Sequence, residues 1–562
     1  MRCRGTTLYG CAVSRFRRAN VVLITVVLAP TAVACEYDAE LWDMSENAAS
    51  VGGTSTGGST TGSSSEGDTN SDTGDTDPNT TDSDSDSDTN ADASSNTAPD
   101  PGPGTGANDG FLPGPWDAGY PIPSEPQMPG DPEIGFDALL NRGYVSCGLP
   151  SGLFALAKPL LGAYANGETL PWRKGKNATV PYNWTIHTAK SGVELASMNC
   201  LECHAGRFNG EMIIGLGTAD MDFTTSLSMG LEQLPQIPLP GKSIDELNKF
   251  VARYNAVGPL VQTKTIGTNP ATVLGVLLAT HHDVDTLAWS DEPLIDVEVP
   301  MIPVDAPPWW RIRKRAGLFY NGMARGDHRG TMMFASSLCT DTVEEATEIL
   351  GYFNHINAYI RTLEAPIYPF SIDSALAADG AQIFMADCAG CHGTYSDDPE
   401  AESYRSLLLP YELIGTDSAY VLAADESIGA MADWYNNSFY GSITRVEPTM
   451  PFAGYIAPPL DGIWATAPFL HNGSVPTLEL VLNSEARPTY WRRFDYKSDN
   501  FDTEALGWPF ETLDAGHDAV PEAERKYIYD TTIFAHSASG HTFGDHLTDD
   551  KRVALLEYLK TL

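Results

Sequence analysis

Two copies of the pentapeptide Cys-x-x-Cys-His constrain this 562-residue chain more than any other feature, and their first cysteines stand 188 positions apart. In this pattern two thiols form thioether bonds to the vinyl groups of a c-type haem, and the histidine becomes the proximal ligand of the iron. The alternative is a zinc or redox Cys-x-x-Cys that precedes a histidine by chance, and that chance would have to occur twice. We therefore predict two covalent c-type haems with these ligands: Cys200, Cys203, His204, Cys388, Cys391 and His392.

The first 35 residues have the pattern of an export signal. Five arginines precede a short apolar run at residues 21–34, which is too short for a confident membrane span. The small residues before Cys35 indicate either a cleavage site or lipidation of Cys35. We expect an exported protein in the periplasm, on the outer membrane as a lipoprotein, or outside the cell. The membrane would be contacted only through this lipid.

The remaining cysteines agree with export. Cys3 and Cys11 leave with the signal, and haem takes four more. Cys147 and Cys339 remain as an even pair in an oxidising compartment, which favours a disulfide over two buried free thiols.

Acidic residues dominate the next segment and the whole chain. Residues 36–110 contain 17 Asp or Glu and no Lys or Arg, so we predict a disordered acidic linker over 36–111. The chain carries a net charge of −40, and residues 111–562 still carry −28. This charge disfavours nucleic acid as a partner. It is compatible with a cationic redox partner, such as a small cytochrome, or with a neutral apolar substrate.

A repeat divides the folded part. Residues 343–363 and 549–562 both have a helical pattern and end in Tyr-Ile-Arg-Thr-Leu and Tyr-Leu-Lys-Thr-Leu. Each follows a haem motif, and another helix is predicted at 374–384, just before the second motif. We expect a mainly α fold with long loops and two cytochrome c-like haem domains, at 112–365 and 366–562.

The residue that completes each iron stays open at this point. Met450, His471 and His541 compete for the second haem. For the first haem the candidates are His281, His282, His328 and several methionines, and each of them suits a loop or the core better than an iron. Near it, Trp309, Trp310 and Phe319 belong to an aromatic segment that would form either an apolar distal pocket or ordinary core. An iron with an open position binds dioxygen or peroxide, whereas two protein ligands restrict it to electron transfer.

The chain resembles the di-haem cytochrome c peroxidase superfamily, and within it the branch of the rubber oxygenases. The segments that carry the resemblance are Tyr-Val-Ser-Cys-Gly-Leu-Pro at 144–150, the haem motifs with their flanks, Pro-Trp-Trp at 308–310, Phe-Tyr-Asn-Gly at 319–322, Gly-Asp-His at 326–328, Asp-Gly-Ile-Trp-Ala-Thr-Ala-Pro-Phe-Leu-His-Asn-Gly-Ser at 461–474 and Gly-His-Thr-Phe-Gly at 540–544.

The resemblance implies roles for several residues. In the peroxidases a methionine 14 positions after the residue matching His471 binds the electron-transfer haem, but Glu485 stands there. In the rubber oxygenases the second haem has two histidines, and the match points to His541. Trp309 or Trp310 would carry electrons between the haems, and Phe319 would lie above the first. The superfamily also brings a calcium ion as a candidate cofactor.

Three functions follow. The first is a haem oxygenase that uses dioxygen at the first haem to cleave an apolar small-molecule or polymer substrate, since the known branch activity is oxidative cleavage of polyisoprene double bonds. The second is a peroxidase that reduces hydrogen peroxide with electrons from a small cytochrome. The third is a non-catalytic electron carrier.

Overall fold

The computed structural model describes residue 111 and residues 113–562, with gaps at 166, 227, 229–230, 232–233, 235–236 and 424–425. The predicted export signal, Cys35 and almost all of the acidic linker lie outside the described residues. The described residues belong to one compact unit. In the part that the structure describes, no helix has the length and apolar character needed to cross a bilayer.

The described residues contain α-helices of 4 to 18 residues, joined by 3₁₀ turns and long loops. In chain order they are α1 Pro132–Asn141, α2 Ser151–Leu161, α3 Lys242–Val257, α4 Ala271–Thr280, α5 Arg329–Phe334, α6 Val343–Ile360, α7 Ser374–Asp387, α8 Ala389–His392, α9 Tyr411–Ile414, α10 Ala419–Leu422, α11 Ser427–Asn437, α12 Leu478–Val481, α13 Glu522–Arg525 and α14 Asp549–Leu559.

The strands are short, with two to five residues each. They are β1 Tyr120–Pro121, β2 Leu149–Pro150, β3 Trp184–Thr188, β4 Glu194–Met198, β5 Arg207–Phe208, β6 Glu211–Met212, β7 Gly317–Leu318, β8 Ala324–Gly326, β9 Leu407–Pro410, β10 Thr444–Val446, β11 Gly454–Ile456, β12 Tyr490–Arg493, β13 Phe510–Thr512 and β14 Tyr529–Asp530. They pair antiparallel in small sheets with the orders β1-β9-β11, β10-β8-β7, β13-β12-β14, β2-β4-β3 and β5-β6.

The prediction of a mainly α fold is wrong. Helices make up 38% of the structure and strands 12%, in five small sheets across the described residues. The physical reason is the length of the strands. A strand of two or three residues is too short to show the alternation of apolar and polar residues by which a half-buried strand is recognised in sequence.

Two helix pairs cross closely, and each crossing is made at a glycine. On Gly135 of α1 a Cβ would lie 1.9 Å from the carbonyl oxygen of His355 in α6. On Gly380 of α7 a Cβ would lie 2.0 Å from the carbonyl oxygen of Ala554 in α14. The helices predicted at 343–363, 374–384 and 549–562 are therefore present, and each of them belongs to one of these pairs.

Two sheets join the regions before and after the predicted boundary at 365. Strand β1 pairs with β9, and β8 pairs with β10. Buried side chains also make contacts across this boundary, because Trp310 packs in a core with Phe384 and Trp464. Tyr420 and Tyr455 pack in the core that contains Trp184. The cores on the two sides are therefore built from both parts of the chain.

Candidate haem sites

The second Cys-x-x-Cys-His begins where α7 ends. Cys388 follows the last turn of α7, and α8 carries the rest of the motif to His392. Gly390 within it packs directly on Trp116, because a Cβ there would meet the indole ring at 2.2 Å. This close approach fixes the motif against the body of the protein. Burial raises the pKa of Cys388 to about 12 and that of Cys391 to about 11, so both thiols are protonated in the haem-free chain.

His392 is oriented for metal binding. Its Nδ1 donates to the carbonyl of Pro458 at 2.8 Å, since a carbonyl oxygen can only accept. This hydrogen bond leaves Nε2 without a proton, which is the form that binds a metal, and such a bond to the other ring nitrogen is the usual support of a ligating histidine. Burial also lowers the pKa of His392, which keeps the imidazole neutral.

His541 faces His392. The two ring centres lie 6.3 Å apart with the planes inclined by 54°. Two imidazoles that bind one metal ion from opposite sides, each through a bond of about 2 Å, have ring centres separated by about 6 Å. Burial lowers the pKa of His541 to about 4, although a backbone hydrogen bond with Val481 raises it, and its buried Nδ1 has no hydrogen bond of normal geometry in the described chain. The pair has the spacing of two axial ligands.

Arg487 holds the segment of His541 in place, and sequence reasoning did not find this residue. Its guanidinium donates to the carbonyls of Ala538 at 2.7 Å, Gly540 at 2.6 Å and His541 at 3.2 Å. It also bonds to two carbonyls at the end of α12. Because every one of these acceptors is a backbone atom, no side-chain motif marks the interaction in the sequence.

Gly540 lets the backbone that carries His541 pack against the backbone at residues 414–415. Its φ is +74°, and a Cβ there would lie 2.1 Å from the carbonyl carbon of Gly415. The amide of His541 donates to the carbonyl of Ile414 at 2.7 Å. Only glycine combines this backbone angle with this approach.

The residues at this site fit a haem. His392 and His541 supply two neutral nitrogens at the right separation, and two thiols stand beside them in the attachment motif. A cavity of about 200 Å³ contains His392 and is lined by Tyr395 and Tyr404. The separation of the two rings leaves room for a metal ion between them.

The first motif forms a 3₁₀ turn at Cys200–Glu202. The side chain of Asn199 caps this turn by accepting from the amide of Leu201 at 2.9 Å, and the amide of Cys200 donates to the hydroxyl of Tyr144 at 3.2 Å. Burial raises the pKa of Cys200 to about 11 and that of Cys203 to about 12. Side chains of Tyr144 and Asn199 therefore stabilise this turn by accepting from its backbone amides.

Glu202, between the two cysteines, is a buried carboxyl group that sequence reasoning did not single out. Burial raises its pKa to about 8, and the side chain of Asn183 donates to it. It is therefore protonated at neutral pH in the haem-free chain.

His204 stacks on Trp309. Their ring centres lie 4.7 Å apart and the planes differ by 25°. A ring stacked on the face of the imidazole lies beside the ligand rather than across the metal from it, so Trp309 supports His204 on the proximal side. The Nδ1 of His204 is buried and lacks a hydrogen-bond partner of normal geometry, and burial lowers the pKa of the ring to about 4. The neutral ring and the two thiols fit a c-type haem.

The segment after Trp309 leads from the first site to the second. The indole N–H of Trp310 donates to the carbonyl of Asp461 at 2.8 Å, and a Cβ on Gly462 would touch the same indole at 3.1 Å. Asp461 lies three residues after Pro458, whose carbonyl accepts from His392. A short chain of packed groups thus connects His204 to His392.

The other predicted candidates lie elsewhere. Phe319 is 38% exposed on the turn between β7 and β8, with a φ of +65°, and the described residues show no ring contact between it and His204. Its place above the first haem stays a prediction. Met450 is 56% exposed, which does not suit an iron ligand buried beside a haem.

His471 lies in a buried cluster of tyrosines rather than against His392. It stacks on Tyr455 at 4.5 Å, and the Tyr455 hydroxyl lies 3.2 Å from its Nε2. Burial lowers the pKa of His471 to about 4. Tyr320 and Tyr420 contact the same imidazole edge-on or tilted. The sequence marked His471 as a candidate but did not show these partners, which come from three separate segments.

Cys147 and Cys339 form a disulfide that closes 192 residues of chain. No group of three or more His, Cys, Asp or Glu side chains in the described residues is arranged to hold a metal ion, so the calcium ion stays a prediction.

Part of this site is similar to known proteins. Residues 454–492 match a family model described as RoxA-like, cytochrome c-like. The chain is 30% identical over 293 residues to the uncharacterized protein y4iJ of Sinorhizobium fredii (strain NBRC 101917 / NGR234), covering 41% of this chain and 47% of y4iJ. It is 30% identical over 245 residues to y4iM of the same strain, covering 36% and 52%. The chain spans about half the length of the curated relatives it matches.

The matched stretch contains Pro458, Asp461 and His471, so it includes the carbonyl that orients His392. The match supports a haem-binding, cytochrome c-like domain and a haem oxidoreductase. The expectation of two cytochrome c-like domains is corrected by it, because one such domain is matched. The resemblance to the peroxidase superfamily stays a prediction.

Proposed function

We propose that this protein is an exported di-haem c-type cytochrome that uses dioxygen to cleave an apolar substrate. The first haem would be held by Cys200, Cys203 and His204. The second would be held by Cys388 and Cys391, with His392 and His541 on the two sides of its iron. A haem with two protein ligands supplies electron transfer, and one with an open axial position supplies activation of dioxygen or peroxide.

The facing pair of His392 and His541 carries this proposal. A ring separation of 6.3 Å, with both imidazoles neutral, supports a second haem with two histidine ligands, and such a haem would transfer electrons. The tautomer of His392 is fixed by Pro458, and the position of His541 is fixed by Arg487. The second site would then serve the first rather than meet the substrate.

The choice of an oxygenase is supported by two features of the chain. The family match is to a RoxA-like model. The residue 14 positions after His471 is Glu485, which cannot act as the methionine ligand of the related peroxidases.

Trp309 and Trp310 provide the route between the sites. Trp309 contacts His204, and Trp310 is bonded to Asp461 near the support of His392. Packed aromatic rings shorten the path for an electron between the two irons. A small cationic cytochrome would suit the acidic surface as a partner.

The first test counts haems. Purified protein expressed with a c-type maturation system should carry two covalent haems on a haem-stained denaturing gel. The Cys200→Ala and Cys388→Ala variants should each retain one. An unstained wild-type band would refute haem attachment, and a variant that keeps both haems would refute the assignment of that site.

The second test identifies the open iron. Carbon monoxide should bind one haem of the reduced wild type, and it should bind both in His541→Ala. His546→Ala is the matched control, because His546 is a histidine near the same end of the chain with a side chain that is 58% exposed. If the wild type binds no carbon monoxide, the protein is an electron carrier.

The third test separates the reactions. Incubation with polyisoprene latex under dioxygen should release carbonyl products, and turnover of hydrogen peroxide with a reduced cytochrome should be slow. The reverse result would show a peroxidase.

A further inference from the structure

Two buried arginines on the segment after Trp310 each carry an N–H group without a hydrogen-bond partner. Arg311 and Arg315 are 7% and 8% exposed. Nη2 of Arg311 and Nε of Arg315 are each buried without a hydrogen-bond partner in the described part of the chain. A guanidinium stays protonated in a protein, and a buried charge costs several kcal/mol unless a counter-charge accompanies it.

The nearest carboxylate attracts Arg311 without bonding to it. Arg311 donates from Nε to the backbone carbonyl of Asp461 at 3.0 Å, while the carboxylate of Asp461 binds Lys314 at 2.7 Å. Asp305 and Asp461 act on Arg311 through space, without an ion pair within 4 Å among the described residues. Protonation further weakens Asp305 as a counter-ion, because burial raises its pKa to about 8.

Arg315 is the clearer case. It donates to the carbonyl of Phe319, which carries no net charge. The groups that interact with it electrostatically are the hydroxyls of Tyr404, Tyr320 and Tyr420 and the imidazole of His328, and none of these is an anion at neutral pH. In the described residues this guanidinium therefore has no carboxylate beside it.

Both arginines are close in the chain to the cavity of about 200 Å³ that His392 lines. Lys314, which stands between them, lines this cavity together with Tyr395 and Tyr404. Arg311 donates to the carbonyl of Asp461, three residues after the Pro458 that orients His392, and it interacts with His392 and Tyr395 through space. Arg315 interacts in the same way with Tyr404. The two arginines therefore flank the second candidate haem site.

We propose that Arg311 and Arg315 form a carboxylate-binding site that takes the propionate groups of the haem held by His392. This inference rests on the proposed haem at that site. A haem carries two propionates, and a guanidinium binds a carboxylate with two parallel hydrogen bonds. The pairing satisfies the orphaned donor on each arginine, supplies the counter-charge that Arg315 lacks and fixes the rotation of the haem in its pocket.

The pairing also sets the electron affinity of the second haem. A positive charge close to the iron favours the reduced state, and its effect is large in an interior that excludes water. Arg315→Gln should therefore lower the midpoint potential of the haem that does not bind carbon monoxide. Arg315→Lys should retain most of the wild-type potential, because the ammonium keeps the charge.

Arg313→Gln is the matched control. Arg313 is exposed on the same segment and pairs with Glu364 at 3.5 Å, so the variant removes the same charge from solvent-screened surroundings. We expect its midpoint potentials to stay at the wild-type values. Holoprotein from every variant is compared by spectroelectrochemical titration, after haem content has been counted on a stained gel.

The outcomes distinguish this inference from the proposed function. Two bound haems with an unchanged potential in Arg315→Gln and Arg311→Gln would overturn the carboxylate site while haem attachment stands. No haem in the wild type would overturn the proposed function itself.

An equal fall of the midpoint potential at both haems would refute the assignment of the arginines to the second haem. A wild-type potential that rises or falls with added acetate would show that free carboxylates, rather than propionates, occupy the site. If Arg315→Gln does not yield holoprotein, Arg311→Gln and Arg315→Lys decide the question, since Lys must keep the potential.

Discussion

Asp305 shows how one side chain can carry a large energetic cost inside this protein. Its carboxyl group accepts from the Tyr320 hydroxyl at 3.2 Å and interacts with Arg311 through space. Burial outweighs both stabilising contacts and raises the pKa of Asp305 from 3.8 to about 8. The folded protein therefore holds a proton here at neutral pH that the unfolded chain would release.

The sign of the resulting pH dependence follows directly. Because the pKa is higher in the folded state, the stabilising contribution of the protonated form is complete below pH 4 and is lost as the pH rises from about 4 to about 8. Asp305→Asn should remove this loss, worth about 1–3 kcal/mol once partial exposure is allowed for. Guanidinium denaturation at pH 5 and pH 8 measures the loss of unfolding free energy between these two pH values in the wild type and in the variant.

The control for this prediction is Asp499→Asn, which changes an exposed aspartate. It should leave the pH dependence of stability equal to that of the wild type. If Asp305→Asn loses as much stability between pH 5 and pH 8 as the wild type does, Asp305 is ionised in the folded protein.

At the scale of elements, the two helix crossings depend on the absence of a side chain. Gly135 and Gly380 each let one helix backbone approach another to within the space of a single Cβ. Phe384, one turn beyond Gly380, then packs against Tyr558 with ring centres 5.1 Å apart, and Phe136 packs against Tyr359 at the same distance. The similar sequences at 359–363 and 558–562 thus belong to two helix pairs that pack in the same way.

Gly380→Ala should weaken the α7–α14 pair. The new methyl group would lie 2.0 Å from the carbonyl oxygen of Ala554, so the helices must separate or shift, at a cost of about 1–3 kcal/mol. Gly351→Ala is the matched control on α6, because a Cβ there meets nothing within 4 Å. That variant should gain about 0.4–1 kcal/mol from the lower entropy of its unfolded chain. Thermal or denaturant unfolding of both variants measures the loss of stability in Gly380→Ala and the gain in Gly351→Ala. Equal changes in the two variants would show that the α7–α14 contact does not require glycine at position 380.

These elements also show what the sequence could and could not reveal. The helices at 343–363, 374–384 and 549–562 carry clear apolar periodicity and lie within a few residues of α6, α7 and α14. The strands have no such signal, since residues as few as Tyr120–Pro121 form a strand only because β9 lies beside them. Secondary structure set by distant partners cannot be recognised locally.

The candidate sites divide in the same way. The covalent motifs are local, and so they were recognisable as pentapeptides. His541 was one of three candidates until the fold placed its ring 6.3 Å from that of His392. Arg487, which binds backbone carbonyls, and Arg315, whose charge is unusual only because it is buried, have no local pattern that would distinguish them from surface arginines.

At the scale of the whole molecule, contacts between residues that are far apart in the sequence hold the folded chain together. Strand pairs β1–β9 and β8–β10 connect residues before and after 365, and the cores on both sides share side chains. The Cys147–Cys339 disulfide adds a covalent link across 192 residues. Such links stabilise a protein mainly by restricting its unfolded chain, and the effect grows with the length of the closed loop.

The double variant Cys147→Ala/Cys339→Ala should therefore lose about 2–5 kcal/mol of unfolding free energy. Both cysteines are 1% exposed, so the small side chains of alanine keep the site apolar and limit the change to the lost link and a small volume. Guanidinium unfolding of the holoprotein measures the loss, and wild type treated with a reductant should shift towards the double variant. A reductant that further destabilises the double variant would show that another thiol is responsible. If the double variant unfolds at the wild-type midpoint, the loop is already restrained by the paired strands and the shared cores.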